Sequence, residues 1–212
     1  MKKILTILAV LIATATVATA QIGARIGMDF ASFRGDWRNP SGHDDYKTNI
    51  GLHLGVVYNI ELADALSLQP GAFYVQRNWK RENSDHKIHS HHIEVPVVMK
   101  YNLELTSDIK IDPHVGPYFG FGFAGKNKDE ESEKVFKKRY DKKTGTYQSL
   151  GLKNFDMGIQ MGVGATFFES AYVGFDFELG FNDLTKFKAI DGKAVDIHHN
   201  MFMITFGVWL PE

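Results

Sequence analysis

The sequence predicts an all-β chain, folded as an eight-stranded antiparallel up-and-down transmembrane β-barrel. Three observations predict it. Eight segments alternate large apolar residues with small or polar ones, the pattern of a strand with two unlike faces. The connections between them alternate in length, short then long. Fourteen of the 20 glycines fall inside these segments, always on the face opposite the large apolar residues.

Each segment is close to the ~9–11 residues that a tilted membrane-spanning strand needs. The first, 22–33, places Ile22, Ala24, Ile26, Met28 and Phe30 on one face. The second, 48–59, places Ile50, Leu52, Leu54, Val56 and Tyr58 together. The third, 66–78, is less regular, with Leu66, Leu68, Ala72 and Tyr74 apolar. The fourth, 90–101, carries Ile93, Val95, Val97, Met99 and Tyr101. The fifth, 109–124, carries Ile109, Ile111, Val115, Phe119, Phe121 and Phe123. The sixth, 155–168, reads FDMGIQMGVGATFF and alternates from Phe155 to Phe167. The seventh, 172–182, presents Val173, Phe175, Phe177, Leu179 and Phe181, and the eighth, 200–210, Phe202, Ile204, Phe206, Val208 and Leu210.

Short turns are expected at 60–65, 102–108 and 168–171. Long connections are expected at 34–47, 79–89, 125–153 and 183–199. Short turns on one side of a membrane and long loops on the other are the layout of a bacterial outer-membrane barrel. The even strand number then puts both termini on the periplasmic side. Within 125–153, "DKKTG" is a turn signal between two polar β-like runs, which predicts a small extra hairpin. No apolar band runs through it, so it adds no spanning strand.

The glycines decide which face is outside. In a water-soluble barrel the glycine face would meet solvent, where glycine weakens a strand for no gain. Eight strands enclose a lumen barely wide enough for side chains, and there small residues must alternate with large ones. The glycine face is therefore read as the lumen and the apolar face as the lipid contact. The lumen face also carries Arg25, Asp29, His53, Gln69, Arg77, Glu94, Lys100, Lys110, Asp112, His114, Asp156, Gln160, Asp176 and Glu178. Both signs are present, as an internal plug of paired charges requires. Tyr58, Tyr101, Tyr172 and Trp209 near one end, and Phe33, Trp37, Trp79, Phe123, Phe155 and Phe181 near the other, are expected to form two interfacial girdles. Pro70, Pro96, Pro113 and Pro117 each remove a ladder donor and predict bulges or breaks.

The N-terminus, MKKILTILAVLIATATVATAQ, has a positive start, a short apolar run and a small-x-small site at Ala18-Thr19-Ala20. These are the parts of a secretory signal peptide, so residues 1–20 are expected to be a leader and 21–212 the barrel. The chain has 24 basic and 25 acidic residues, a net charge of −1. Loss of Lys2 and Lys3 moves it to about −3, too balanced for nucleic acid. There are no cysteines, so stability after export must come from packing and sheet closure. No apolar run of ~20 residues follows the leader, so a barrel is the route left for crossing a membrane.

The segments "LSLQPGAFY" (66–74), "IEVPVVMKYNL" (93–103), "GPYFGFG" (116–122), "YVGFDFELGFNDL" (172–184) and "MITFGVWL" (203–210) resemble the small outer-membrane β-barrel domain family. These are the porin-family barrels related in form to outer membrane proteins A and X. The resemblance implies the architecture and the outer membrane of a diderm bacterium. It implies no activity.

Three chemistries were weighed on the residues. In "DHKIHSHHIE", His86, His89, His91 and His92 with Asp85 could hold zinc or copper, and His198-His199 lie at a similar level, but the spacing is loose. An enzyme acting on membrane lipid needs a Ser, a His and a carboxylate facing lipid. Ser90, His92 and Glu94 share the lumen face, and His91 points away from Ser90. A narrow channel is the third reading, and a lumen lined by glycine and paired charges argues against it. No catalytic, cofactor-binding or metal-binding residue is therefore expected, and no cofactor. The expected function is a monomeric outer-membrane barrel with a packed polar lumen and a structural or surface-interaction role; a narrow channel is the alternative and a lipid-modifying enzyme the second. The expected partners are outer-membrane lipid and lipopolysaccharide, the outer-membrane insertion machinery, and a surface partner at loop 125–153, whose "FKKRYDKK" suits phosphate groups.

Overall fold

The computed structural model describes residues 20–35, 46–81, 87–127, 135–136, 140–141, 146–147, 151–186, 189–190, 193–194 and 196–211. Eight long strands form the wall: β1 (Ala20–Gly35), β2 (Tyr46–Ala63), β3 (Leu66–Arg81), β4 (Lys87–Tyr101), β5 (Ile109–Asn127), β6 (Phe155–Phe167), β7 (Ala171–Gly180) and β8 (Ile197–Trp209). Each pairs antiparallel with the next, and β8 pairs with β1, so the sheet closes with no free edge. Closure satisfies every ladder without water, the condition for crossing a bilayer with strands. No helix among the described residues is long and apolar enough to cross a membrane.

The ladder climbs as it goes round. Partners lead from Ala20 through Ile60, Leu68, Met99, Val115, Met161, Phe177 and Phe202 back to β1 at Phe30, ten residues further along the strand. This stagger tilts the strands steeply against the barrel axis. From Ile60 round to Phe30 the path keeps to the outward face.

The faces lie as the alternation predicts. Outward residues are large, apolar and open: Ile26 is 61% exposed, Phe121 54% and Phe206 47%. So continuous an apolar surface would be untenable in water and is the normal lipid contact of a barrel. The fourteen glycines that the sequence places in spanning strands all lie on the inner face. Several are there because a larger side chain lies over them. A Cβ on Gly164 or Gly174 would sit 2.5 and 2.7 Å from the Tyr172 hydroxyl, and one on Gly158 would run into the Leu179 carbonyl of β7.

Three turns close one end, the turn end, which also holds the start of β1 and the finish of β8. Asp64-Ala65 joins β2 to β3. Phe168, Glu169 and Ser170 join β6 to β7, the first two with φ of 51° and 58°, the left-handed values of a primed turn, here reached without glycine. The expected turn at 102–108 is shorter than the sequence suggested. Leu103–Thr106 continues pairing with β5, leaving Ser107-Asp108 as the turn.

Two of the strand prolines fall where the ladder is interrupted. Pairing passes from Pro70–Val97 to Phe73–Glu94, and from Pro96–Tyr118 to Met99–Val115, without a change of register. Pro96 and Pro117 sit in those gaps, where no donor is needed. Pro113 stands in an unbroken stretch opposite Val163. At the other end, the loop end, Tyr140–Asp141 pairs with Thr146–Tyr147, the hairpin that DKKTG predicts. A second small pair joins Ala189–Ile190 to Lys193–Ala194.

Candidate functional site

The lumen is filled by two polar layers. The layer nearer the loop end centres on Arg77 of β3. Its guanidinium donates from Nη2 to Glu94 on β4 and from Nη1 to Asp156 Oδ2 on β6 at 2.8 Å, with Glu178 Oε2 on β7 at 3.8 Å. Tyr118 donates its hydroxyl to Asp156 at 3.2 Å, and His199 Nδ1 lies 3.2 Å from the same oxygen. Asp29 of β1 is fully buried nearby, and neither of its oxygens has a hydrogen-bond partner among the described residues. The planar fork of arginine suits this task, because it serves several carboxylates from fixed directions.

The layer nearer the turn end is built differently. Arg25 stands over two rings set edge to face, 3.9 Å from the centre of Tyr172 and 4.2 Å from that of Trp209. Lys100 pairs with Asp112 at 3.2 Å and stands 5.2 Å from the Trp209 ring. His114 Nε2 meets Asp176 Oδ1 at 2.7 Å, and Gln160 donates to the same oxygen at 2.8 Å. A cavity of about 40 Å³ separates the two layers and touches Arg25, His53, Asp176, Glu178 and Thr205.

Of the fourteen polar residues expected in the lumen, thirteen line these layers. Lys110 does not. It lies at the turn end and pairs with exposed Glu104 at 3.0 Å, because its strand has already passed the lumen floor. The aromatic girdles also need correction. Tyr172 and Trp209 turn inward onto Arg25, and Trp79 and Phe33 turn inward and stack on each other at 4.6 Å against the apolar cluster. Level along the barrel suggests a girdle, but strand alternation points these four inside. Tyr58, Tyr101, Phe123, Phe155 and Phe181 do face outward, and Trp37 lies outside the described residues.

The ends of the lumen differ. The loop end is stoppered by apolar side chains. Val135 and Phe136, from the long polar connection 125–153, are 1% and 9% exposed and pack with Trp79, Ile88, Leu152 and Leu184. Phe136 lies over Gly122 and edge-to-face with His92, with ring centres 5.6 Å apart; a Cβ on Gly122 would collide with its ring. Backbone bonds lace the stopper together: Leu152 N donates to Val135 O at 3.0 Å, Lys153 N to Leu184 O at 2.6 Å, and Leu184 N to Ile197 O at 2.7 Å. These two residues of the otherwise polar connection are thus part of the lumen's closure. Two apolar residues in a charged stretch carry no periodicity, so only their pairing in "VF" hinted at burial. The turn end is open, a polar recess of about 730 Å³ floored by Lys100, Asp112, Thr166 and Trp209.

The weighed chemistries find little support. His89 and His91 face outward but bond elsewhere, to Asn78 and to the Tyr74 hydroxyl at 2.7 and 2.6 Å. No group of three metal-ligating side chains occurs among the described residues; His86 and Asp85 lie outside them. Ser90 and His92 do meet inside the lumen, at 2.9 Å, but beneath Phe136, and His92 Nδ1 has no hydrogen-bond partner among the described residues.

Residues 14–186 match a family model described as the outer membrane protein beta-barrel domain. No curated protein matches the chain by sequence. Among solved structures, OprG of Pseudomonas aeruginosa is similar at 13% identity, covering 92% of this chain and 98% of that one, with a TM-score of 0.48. Outer membrane protein W of Escherichia coli is similar at 16% identity, covering 92% and 100%, with a TM-score of 0.42. Ail of Yersinia pestis, solved with the heparin analogue sucrose octasulfate, is similar at 11% identity, covering 90% and 99%, with a TM-score of 0.45.

Proposed function

The chain belongs to the outer membrane protein β-barrel domain family, and from that premise we propose that it is a monomeric, non-conducting wall element of the outer membrane with a structural and surface-contact role. One observation carries the reading. The lumen is blocked in series by the Arg25 layer, the Arg77 layer and the Val135–Phe136 stopper, while the middle of the outer wall is a continuous apolar surface. Such an interior holds a barrel together and passes nothing.

In this reading residues 1–20 are a secretory leader removed after Ala20. β1 starts at Ala20, so the mature chain would begin at the foot of the wall. The turn end with both chain ends faces the periplasm, and the long connections face outward. The chain is delivered by the outer-membrane insertion machinery and has no enzymatic activity. The buried setting of Ser90 and His92 supports that last point, since a lipid substrate would have to displace Phe136 and enter the lumen. The outward partners are outer-membrane lipid and the phosphate groups of lipopolysaccharide.

Purified protein reconstituted in a planar bilayer tests the role. Background conductance is expected. Sustained unitary current steps would replace this reading with a narrow channel, and turnover of lipid A in the same vesicles would replace it with an enzyme.

A further inference from the structure

The closed wall has no free edge, but one segment runs past it. Leu103–Thr106 pairs with β5 on one side only. On its other side β3 has ended. Leu66, the first residue of β3, lies opposite Tyr101, and no strand among the described residues continues the sheet beyond it. Asn102 N still donates to Ala65 O of the β2–β3 turn at 2.7 Å. Backbone groups two residues apart point the same way along a strand, and the bulge in this pairing comes after Glu104. The N–H and C=O of Glu104 therefore face the open side. An unpaired edge of this kind is a template for another strand.

The edge borders the open recess at the turn end, and the recess selects for charge. Lys100 and Lys110 there are matched by Asp112 and Glu104. Asp64 and Glu169 add two exposed carboxylates with no ion-pair partner among the described residues. Asn59 is buried in the same lining, and its Oδ1 has no hydrogen-bond partner among the described residues. A buried acceptor of this kind calls for a donor. An ammonium or guanidinium group supplies donors and positive charge together. On the outer side, Leu103 and Leu105 are exposed beyond the level of Tyr101 and offer apolar cover. Edge and recess thus ask for one ligand, an extended backbone that carries a basic side chain.

We propose that the turn end binds an extended, lysine- or arginine-bearing segment of a periplasmic protein, added as a strand to Leu103–Thr106 with its basic side chain in the recess. The periplasmic source rests on the reading above that the turn end faces the periplasm. The site itself does not depend on that orientation.

The test uses the full-length folded protein in zwitterionic micelles, with a fluorescent octapeptide of alternating threonine and lysine as the probe. Folding is verified by the heat-dependent gel shift. Glu104→Pro removes the free N–H and leaves the pairing with β5 intact, since an edge tolerates proline there. It should bind the peptide about tenfold more weakly, the loss of one ladder hydrogen bond. Glu104→Gln keeps the N–H and should keep most of the affinity. If Glu104→Pro does not fold, methylating the peptide's backbone nitrogens takes its place and should abolish binding. The Glu104 amide should be protected from hydrogen exchange only when the peptide is present. Asp64→Asn/Glu169→Gln should bind several-fold more weakly, a loss that shrinks as salt rises, and a threonine–glutamate octapeptide should not bind. No binding to the parent, full binding by Glu104→Pro, or an unprotected Glu104 amide would overturn strand addition. Parental affinity in Asp64→Asn/Glu169→Gln, or equal binding of the glutamate peptide, would overturn the selection for basic side chains. Protease cleavage within 125–153 on intact cells checks the orientation separately. Cleavage from the periplasmic side alone would overturn the periplasmic source and leave the site standing.

Discussion

The two polar layers of the lumen solve one problem in two ways. Both must keep charge in a narrow, water-poor space. Around Arg77, one guanidinium serves Glu94, Asp156 and Glu178, with Asp29 close by. Around Arg25, the cation is held by the faces of Tyr172 and Trp209, and the nearby acids are matched by Lys100 and His114. The first layer depends on one residue; the second is distributed. Removing a hub strands several buried carboxylates at once, while removing one member of a distributed set leaves its neighbours paired.

The sharpest test of that contrast is Arg77→Met. It should destabilise the folded barrel by about 3–5 kcal/mol, the cost of leaving a buried ion-pair partner uncompensated, read as urea-induced unfolding in micelles. A loss below about 1 kcal/mol would mean that the carboxylates share protons among themselves and need no hub. Next in size is a charge placed on the opposite face of the same wall. Ile159→Arg, on β6, should cost about 2–4 kcal/mol if it lies near the midplane, or block insertion outright. Tolerance there would reverse the assignment of faces. Arg25→Met should cost less, about 1–2 kcal/mol, because a desolvated cation–π contact is worth that much and its rings can still pack on the methionine. If Arg25→Met proves as costly as Arg77→Met, the distinction between hub and distributed layer disappears. The smallest effect is expected at the stopper. Phe136→Ala should change global stability by no more than about 1 kcal/mol, since a loop contact opens locally before the wall does. It should nonetheless expose Trp79 to aqueous quenchers of fluorescence.

The parts of this design differ in how far the sequence reveals them. Alternation and glycine placement suffice for the strands, their faces and the membership of the lumen. Gly158, Gly162 and Gly164 beside Asp156 and Gln160 show why: size and polarity repeat with the pleat, and the pleat is local. Which charges meet is not local. Arg77 and Asp156 are 79 residues apart on strands across the lumen, and their meeting depends on the stagger of the whole ring. The inward turn of Tyr172, Trp209, Trp79 and Phe33 follows from strand parity, which overrides level along the barrel as a guide to where an aromatic side chain goes. The Val135–Phe136 stopper had no readable signal beyond two adjacent apolar residues among charges. The proline gaps became clear only when Pro96 and Pro117 could be set against their partners on the neighbouring strands.

The climb of ten residues round the ladder has a further consequence. A pattern with period two cannot tell one even-numbered stagger from another. Slipping any seam by two residues keeps every apolar side chain in lipid and every glycine inside. By the greasy code alone, barrels closed two residues short or two residues long would be equally acceptable. The interior chemistry removes that degeneracy. Arg25 stands over both Tyr172 of β7 and Trp209 of β8 only when the first strand meets the last at one offset. Arg77 reaches β6 and β7 only when the intervening seams carry the right displacement. The buried charges thus act as a checksum on assembly. They cost desolvation, and in exchange they let a wall built from near-repetitive strands recognise the one closure that is its own.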